Sequence, residues 1–202
     1  MFIQVIQGHV ADRDDIRDAI ETWRRDIAPG AIGWLGMTAG VTADNEFIAL
    51  ARFESSDAAQ RNSHRAEQHQ WWMDTAKLFR GDVTFRDCEQ TEFWLGGGSD
   101  DAGFVQVLQG QTEQVDQLWE INRRLENQMS DFRPDIIGGV VGANGSGVVT
   151  EAIYFTSEAE AREGEQRTPP PELAGMMEEL RTQLGGLRYY DLSEPWLLSP
   201  SQ

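Results

Sequence analysis

The chain has 202 residues, 40% of them hydrophobic, which suits one large domain or two small ones with packed cores. A formal charge of −17, from 34 acidic against 17 basic residues, repels phosphate backbones and acidic lipid surfaces, so neither nucleic acid nor membrane is expected as a partner. There is no apolar run of membrane-spanning length and no secretory pattern before the first strand, and the lone Cys88 has no disulfide partner, so the expected place is the cytoplasm and the thiol reads as inert packing.

Phe2 to Gly8 reads as a strand with both faces largely apolar. From Asp12 to Ile27, apolar residues at Ile16, Ala19, Ile20, Trp23 and Ile27 form one stripe of a helix. Asp12, Asp14 and Asp15 stand at its positive end, and Pro29-Gly30 closes it. Ile32 to Thr38 and Glu46 to Glu54 are strands joined by the polar turn Thr42-Ala43-Asp44-Asn45. Ser55 or Ser56 caps a second helical region running towards Phe79, and Val83 to Cys88 is a fourth strand.

The same order then returns. Phe2-Ile3-Gln4-Val5-Ile6-Gln7-Gly8 comes back as Phe104-Val105-Gln106-Val107-Leu108-Gln109-Gly110, displaced by 102 positions. Phe53 and Phe155, Ser55 and Ser157, Ala59 and Ala161, and Trp94 and Trp196 keep that displacement, while Asp87 and Asp191 match at a slightly larger one. In the second half, Val115, Leu118, Leu125 and Met129 mark a helix, and Ile136 to Val141 and Val148 to Phe155 are strands around a Gly-rich turn. After Pro169-Pro170-Pro171, the stripe of Leu173, Met176, Met177, Leu180 and Leu184 marks another helix, and Leu187 to Leu192 is the last strand. The chain divides into a first half at 1–95, a Gly-rich linker at 96–103 and a second half at 104–198.

Each half has the order β-α-β-β-α-β, that of a ferredoxin-like unit, which makes the fold class α+β. A sheet with helices on one face leaves the other face bare, and a linked second half supplies a second sheet to cover it. The expected architecture is two antiparallel sheets packed into one α/β barrel, a pseudo-dimer within one chain.

With Phe53-Glu54-Ser55-Ser56-Asp57-Ala58-Ala59 leading from third strand to second helix, both halves resemble the dimeric α/β barrel superfamily, in the style of antibiotic-biosynthesis monooxygenases. The resemblance covers nearly the whole chain and rests on a loose motif, so it speaks to fold more than to function. It implies a pocket between sheet and helices, and a cofactor-independent oxygenase whose substrate supplies the electrons for oxygen. Heme-degrading members use an Asn on the first strand with a Trp and a His on the second helix. Gln7 stands at that strand position here and the His and Trp spacing differs, so no heme, other cofactor or metal is expected.

The candidate site lies in the first half. Asn62, His64, His69, Trp71 and Trp72 fall on the second helical region; Gln7 and His9 on the first strand, Trp34 on the second and Arg52 on the third join them. Together they would line a cavity for a flat aromatic or polyketide-like molecule, with His64 or His69 as the base. The residues also allow a plainer reading. Histidines in so polar a stretch are most often solvated surface, and adjacent Trp71 and Trp72 cannot face the same way. The corresponding part of the second half has no His or Trp, so the first half is the expected working half. A non-catalytic ligand-binding or structural, stress-linked barrel is the alternative.

Overall fold

The computed structural model describes residues 1–200. In chain order, β1 (Phe2–His9), α1 (Arg13–Thr22), β2 (Trp34–Val41), β3 (Glu46–Phe53), α2 (Ser56–Ser63), α3 (Ala66–Thr75), β4 (Thr84–Cys88) and β5 (Gln90–Trp94) are followed by β6 (Phe104–Gln111), α4 (Val115–Phe132), β7 (Ile136–Ala143), β8 (Val148–Phe155), α5 (Glu158–Glu165), α6 (Pro171–Gln183), β9 (Gly185–Leu192) and β10 (Trp196–Leu198). They make an α+β fold of two ferredoxin-like units. No helix among the described residues is long and apolar enough to cross a membrane.

The local chemistry explains the helix starts. Asp12 accepts from the backbone N–H groups of Asp14 at 2.8 Å and Asp15 at 3.3 Å, capping α1. Ser55 and Ser157 cap α2 and α5 in the same way, through Ala58 and Glu160. The helix begun by α1 widens into a π turn, Trp23–Ile27, which buries both Trp23 and Ile27. The second helical region of the first half is two helices, because the extended backbone of Arg65 breaks it.

Each unit is built on a five-stranded antiparallel sheet, ordered β10-β2-β3-β1-β4 in one and β5-β7-β8-β6-β9 in the other. The central registers repeat: Phe2 lies opposite Phe53, and Phe104 opposite Phe155. Irregularities between Trp34 and Gly36 and between Ile136 and Gly138 also repeat at the displacement of 102. The compact units do not follow the halves strictly. One is Met1–Glu89 with the C-terminal segment from Pro195; the other is Gln90–Glu194. The short strands β5 and β10 account for this, since β5 pairs with β7 of the second unit and β10 returns to pair with β2 of the first. The Gly-rich stretch after β5 therefore lies inside the second unit.

The first unit has one continuous helix-side core, in which Ile16, Ile20, Trp23 and Trp34 pack with Phe2, Phe47 and Phe53. The helix side of the second unit is divided into three clusters, one around Leu118, Trp119 and Leu184, one around Phe104 and Phe155, and one joining Ile121 and Leu125 of α4 to Leu173 and Met176 of α6. The space between these clusters is where the site is found.

Candidate functional site

In the first unit the room between sheet and helices is about 60 Å³, too little for an organic ligand. Three indoles, those of Trp23, Trp71 and Trp72, line it. Trp23 meets Trp34 edge-on at 5.0 Å and Trp71 at 6.3 Å, and Trp72 packs on Phe85 at 5.0 Å. A polar clasp holds them: Gln68 accepts from Trp23 Nε1 at 2.7 Å and from Asn62 at 3.2 Å, while Trp71 Nε1 donates to the Ala19 carbonyl at 2.9 Å. Arg65 ties Asn62 to the Ile27 carbonyl, at 3.0 Å each.

Of the residues singled out in sequence, Asn62, Trp71 and Trp72 line this small space, and Trp34 packs beside it. His64 ends α2 and His69 lies on α3, both exposed and both away from this space. His9 faces Glu46 at 3.4 Å, Gln7 accepts from Arg86 at 2.9 Å, and Arg52 donates to Thr38 at 2.8 Å. The structure does not bring the histidines together with the indoles around a common cavity. Cys88 is buried, and burial pushes its thiol up to about 11, leaving it protonated and unreactive at neutral pH.

The second unit is different. A cavity of about 710 Å³ lies between its sheet and its helices, within the ~300–1,000 Å³ typical of small-molecule sites. Leu108, Ile153 and Phe155 form the sheet wall, and Leu125, Met129 and Leu180 come from the helices. Its greater size has a sequence cause. Leu125 stands where Trp23 stands in the first half, 102 positions earlier, and α6 leans on α4 through Leu173 and Met176 rather than filling the sheet.

The polar groups of this cavity are arranged in pairs. Gln106 donates to Asp191 at 2.9 Å, repeating the Gln4–Asp87 bond of the first unit at 2.9 Å. Arg162 pairs with Asp191, lies over the Phe104 ring at 5.0 Å, and reaches Glu165 at 3.0 Å. Arg133 holds Asp135 at 2.7 Å and caps the Ala161 carbonyl at 3.2 Å. Arg181 holds Glu178 at 2.7 Å, and Arg167 holds Glu163 at 3.1 Å.

Glu151 is the exception. It projects from the middle of β8 into the cavity, buried, and its Oε1 accepts from Trp94 Nε1 at 2.8 Å. Burial pushes its carboxyl up to about 7, outweighing the indole bond, which pulls the other way. Trp94 reaches it across Gly139, where a Cβ would stand 2.0 Å from the indole nitrogen, so a side chain there would displace the ring.

The internal repeat held the signal for this pair. At the positions displaced by 102, Glu151 corresponds to Ala49 and Gly139 to Met37, while Trp94 corresponds to Trp196. A carboxylate inside an apolar strand whose twin carries alanine is out of pattern. In the first unit, Trp196 Nε1 is buried with no acceptor among the described residues.

No family model matches the sequence, and no curated protein does. Solved structures do share the fold. A candidate monooxygenase from Fusobacterium nucleatum matches with a TM-score of 0.77 at 9% identity, over 99% of this chain and 94% of that one. An anthrone oxidase-like protein matches at 0.65 and 13% identity, over 100% and 92%. A ferredoxin-fold protein from Listeria monocytogenes, described as related to antibiotic biosynthesis monooxygenases, matches at 0.50 and 10%, over 100% and 96%. The chain has the fold of these antibiotic-biosynthesis-monooxygenase-like proteins across its whole length.

Proposed function

We propose that this chain is a small-molecule oxygenase of the monooxygenase type, and that its substrate occupies the cavity of the second unit. The observation that carries this reading is the 710 Å³ space itself, apolar on its sheet wall, where the corresponding sheet–helix space of the first unit is about 60 Å³. Its size and lining suit a flat aromatic or polyketide-like molecule. The cavity arginines are already matched to carboxylates, so they offer little to an anionic ligand.

The reaction in this reading uses the substrate as the electron source and dioxygen as the oxidant. An activated methylene flanked by aromatic rings would become a carbonyl, with one oxygen atom entering the product and the other leaving as water. The names of the fold neighbours, among them an anthrone oxidase-like protein, favour this chemistry without assigning it. The protein's part would be to bind the substrate, exclude water from it and manage its proton.

Anthrone is a suitable probe, followed by calorimetric titration and an oxygen electrode. The wild-type chain should bind it and consume oxygen. Leu125→Trp, which places at this position the indole that fills the first unit, should abolish both while the circular dichroism spectrum stays unchanged. Binding without oxygen uptake would identify a ligand-binding protein instead. Failure to bind, or binding unaffected by Leu125→Trp, would overturn the cavity assignment.

A further inference from the structure

Resting on that reading of the second-unit cavity, we infer that Glu151 is its proton acceptor, held in place by Trp94, and that the substrate is an uncharged aromatic carbon acid or phenol. Three carboxylates line the cavity: Glu151, Glu165 and Glu178. Glu165 is taken by Arg162 at 3.0 Å and Glu178 by Arg181 at 2.7 Å. Glu151 has no cationic partner among the described residues. Trp94 holds its Oε1, and Oε2 has no hydrogen-bond partner among the described residues.

An unpaired buried carboxyl costs stability, so its presence asks for a use. The cost is borne where there is room for a ligand: Glu151 and Gly139 stand in the unit with the open cavity, Ala49 and Met37 in the unit whose space is filled. Trp94 has two effects on the base. Its N–H fixes the carboxyl plane, and it favours the ionised form that accepts a proton. Desolvation opposes it and holds the group near 7, where a base is both available and strong enough at neutral pH.

The surroundings define the substrate's charge. Glu151 lies opposite Leu108 of β6 and Val141 of β7. The charged or titratable groups of the other elements around the cavity are Arg162 and Glu165 of α5, Glu178 and Arg181 of α6, and Tyr189 of β9. Arg133 and Arg167 complete them, each bound to its own carboxylate. A carboxylate substrate would meet Glu151 without a free cation to offset it. An uncharged one needs no such cation, and meets the apolar sheet wall, the base and arginines already matched to carboxylates.

In the step itself, Oε2 takes the proton as the substrate C–H or O–H bond breaks, and the electron pair stays on the substrate and spreads into its rings. With dioxygen as oxidant, the carbanion adds oxygen to give a peroxide anion, which takes the proton back from Glu151. That transfer restores the carboxylate, which then removes the remaining C–H proton as the O–O bond breaks; hydroxide leaves, takes that proton as water, and the carbonyl remains.

The proton step can be isolated by excluding oxygen. Deuterium exchange at the anthrone methylene, followed by NMR, should be accelerated by the wild-type chain at a rate that rises with pH through about 7. Glu151→Gln should bind anthrone as before and lose the acceleration by about 100-fold or more, the usual size of a general-base contribution. Trp94→Phe removes the donor that favours ionisation, so its rate should rise only at higher pH; a merely structural role for Trp94 would not move that profile. Exchange unchanged in Glu151→Gln, or an unmoved profile in Trp94→Phe, would overturn the assignment of the base while leaving the cavity reading intact. If no variant binds anthrone, the cavity reading falls, and the substrate class with it.

Discussion

A buried carboxyl makes folding depend on pH. Glu151 ordinarily would titrate near 4.5, and in the folded chain it is pushed up to about 7. The native state therefore holds this proton more tightly than the unfolded chain does. The group is least costly below about 4.5; stability falls as pH rises through the interval to 7, and levels beyond it. At about 1.4 kcal/mol per pH unit, ionised Glu151 costs the fold about 3 kcal/mol. Glu151→Gln has no such proton, so it should exceed the wild type in stability by about that much at pH 8 and by little near pH 4.5, as measured by urea unfolding at both values. Equal stability at pH 8 would mean that the carboxyl finds compensation in the fold. None of this was visible from the polar cluster Asn62, His64 and His69 at α2 and α3. The tryptophan-rich site expected in the first half has its indoles packed on one another, and hydrophobic stacking of that kind leaves little room for a ligand.

Among the elements, β5 and β10 decide what each unit contains. They are short and lie beyond the four-strand pattern, and their pairing partners are about 45 and 157 residues away in sequence, so no local periodicity announces them. Trp196 and Leu198 of β10 are buried in the first unit. Truncation after Leu192 should therefore weaken that unit, by on the order of 3 kcal/mol from two lost apolar side chains, since each is worth about 1.5–3 kcal/mol. The orphaned Trp196 N–H holds the figure at the low end, because its removal relieves a desolvation cost. Hydrogen exchange should show lost protection at Trp34–Val41 of β2 with retained protection at Ile136–Ala143 of β7. Equal loss in both strands would contradict the assignment of β10 to the first unit alone.

For the molecule as a whole, charge is the dominant general property. Seventeen surplus negative charges repel one another across an exposed surface, and the repulsion opposes the compact state. Raising NaCl from low concentration to about 1 M shortens the screening length to about 3 Å, so the midpoint of thermal unfolding should rise. A falling midpoint would indicate that surface pairs such as Arg24–Glu21 and Lys77–Asp74 outweigh the repulsion.

Duplication, the α+β class and the order of elements within each half were all readable from residues, because strand and helix periodicities and capping side chains are local and appear twice. Phe2-Ile3-Gln4-Val5-Ile6-Gln7-Gly8 and its copy, Asp12 at α1, and Ser55 and Ser157 carried that reading. Which half holds the open cavity was a different kind of question. It turns on side-chain volume at contacts far apart in the chain, where Trp23 fills the first unit, Leu125 leaves room in the second, and Gly139 admits the Trp94 indole. Only the tertiary structure set Trp94 beside Glu151, because burial and hydrogen bonding between residues 57 apart depend on how the strands are registered, and no single strand encodes its neighbours.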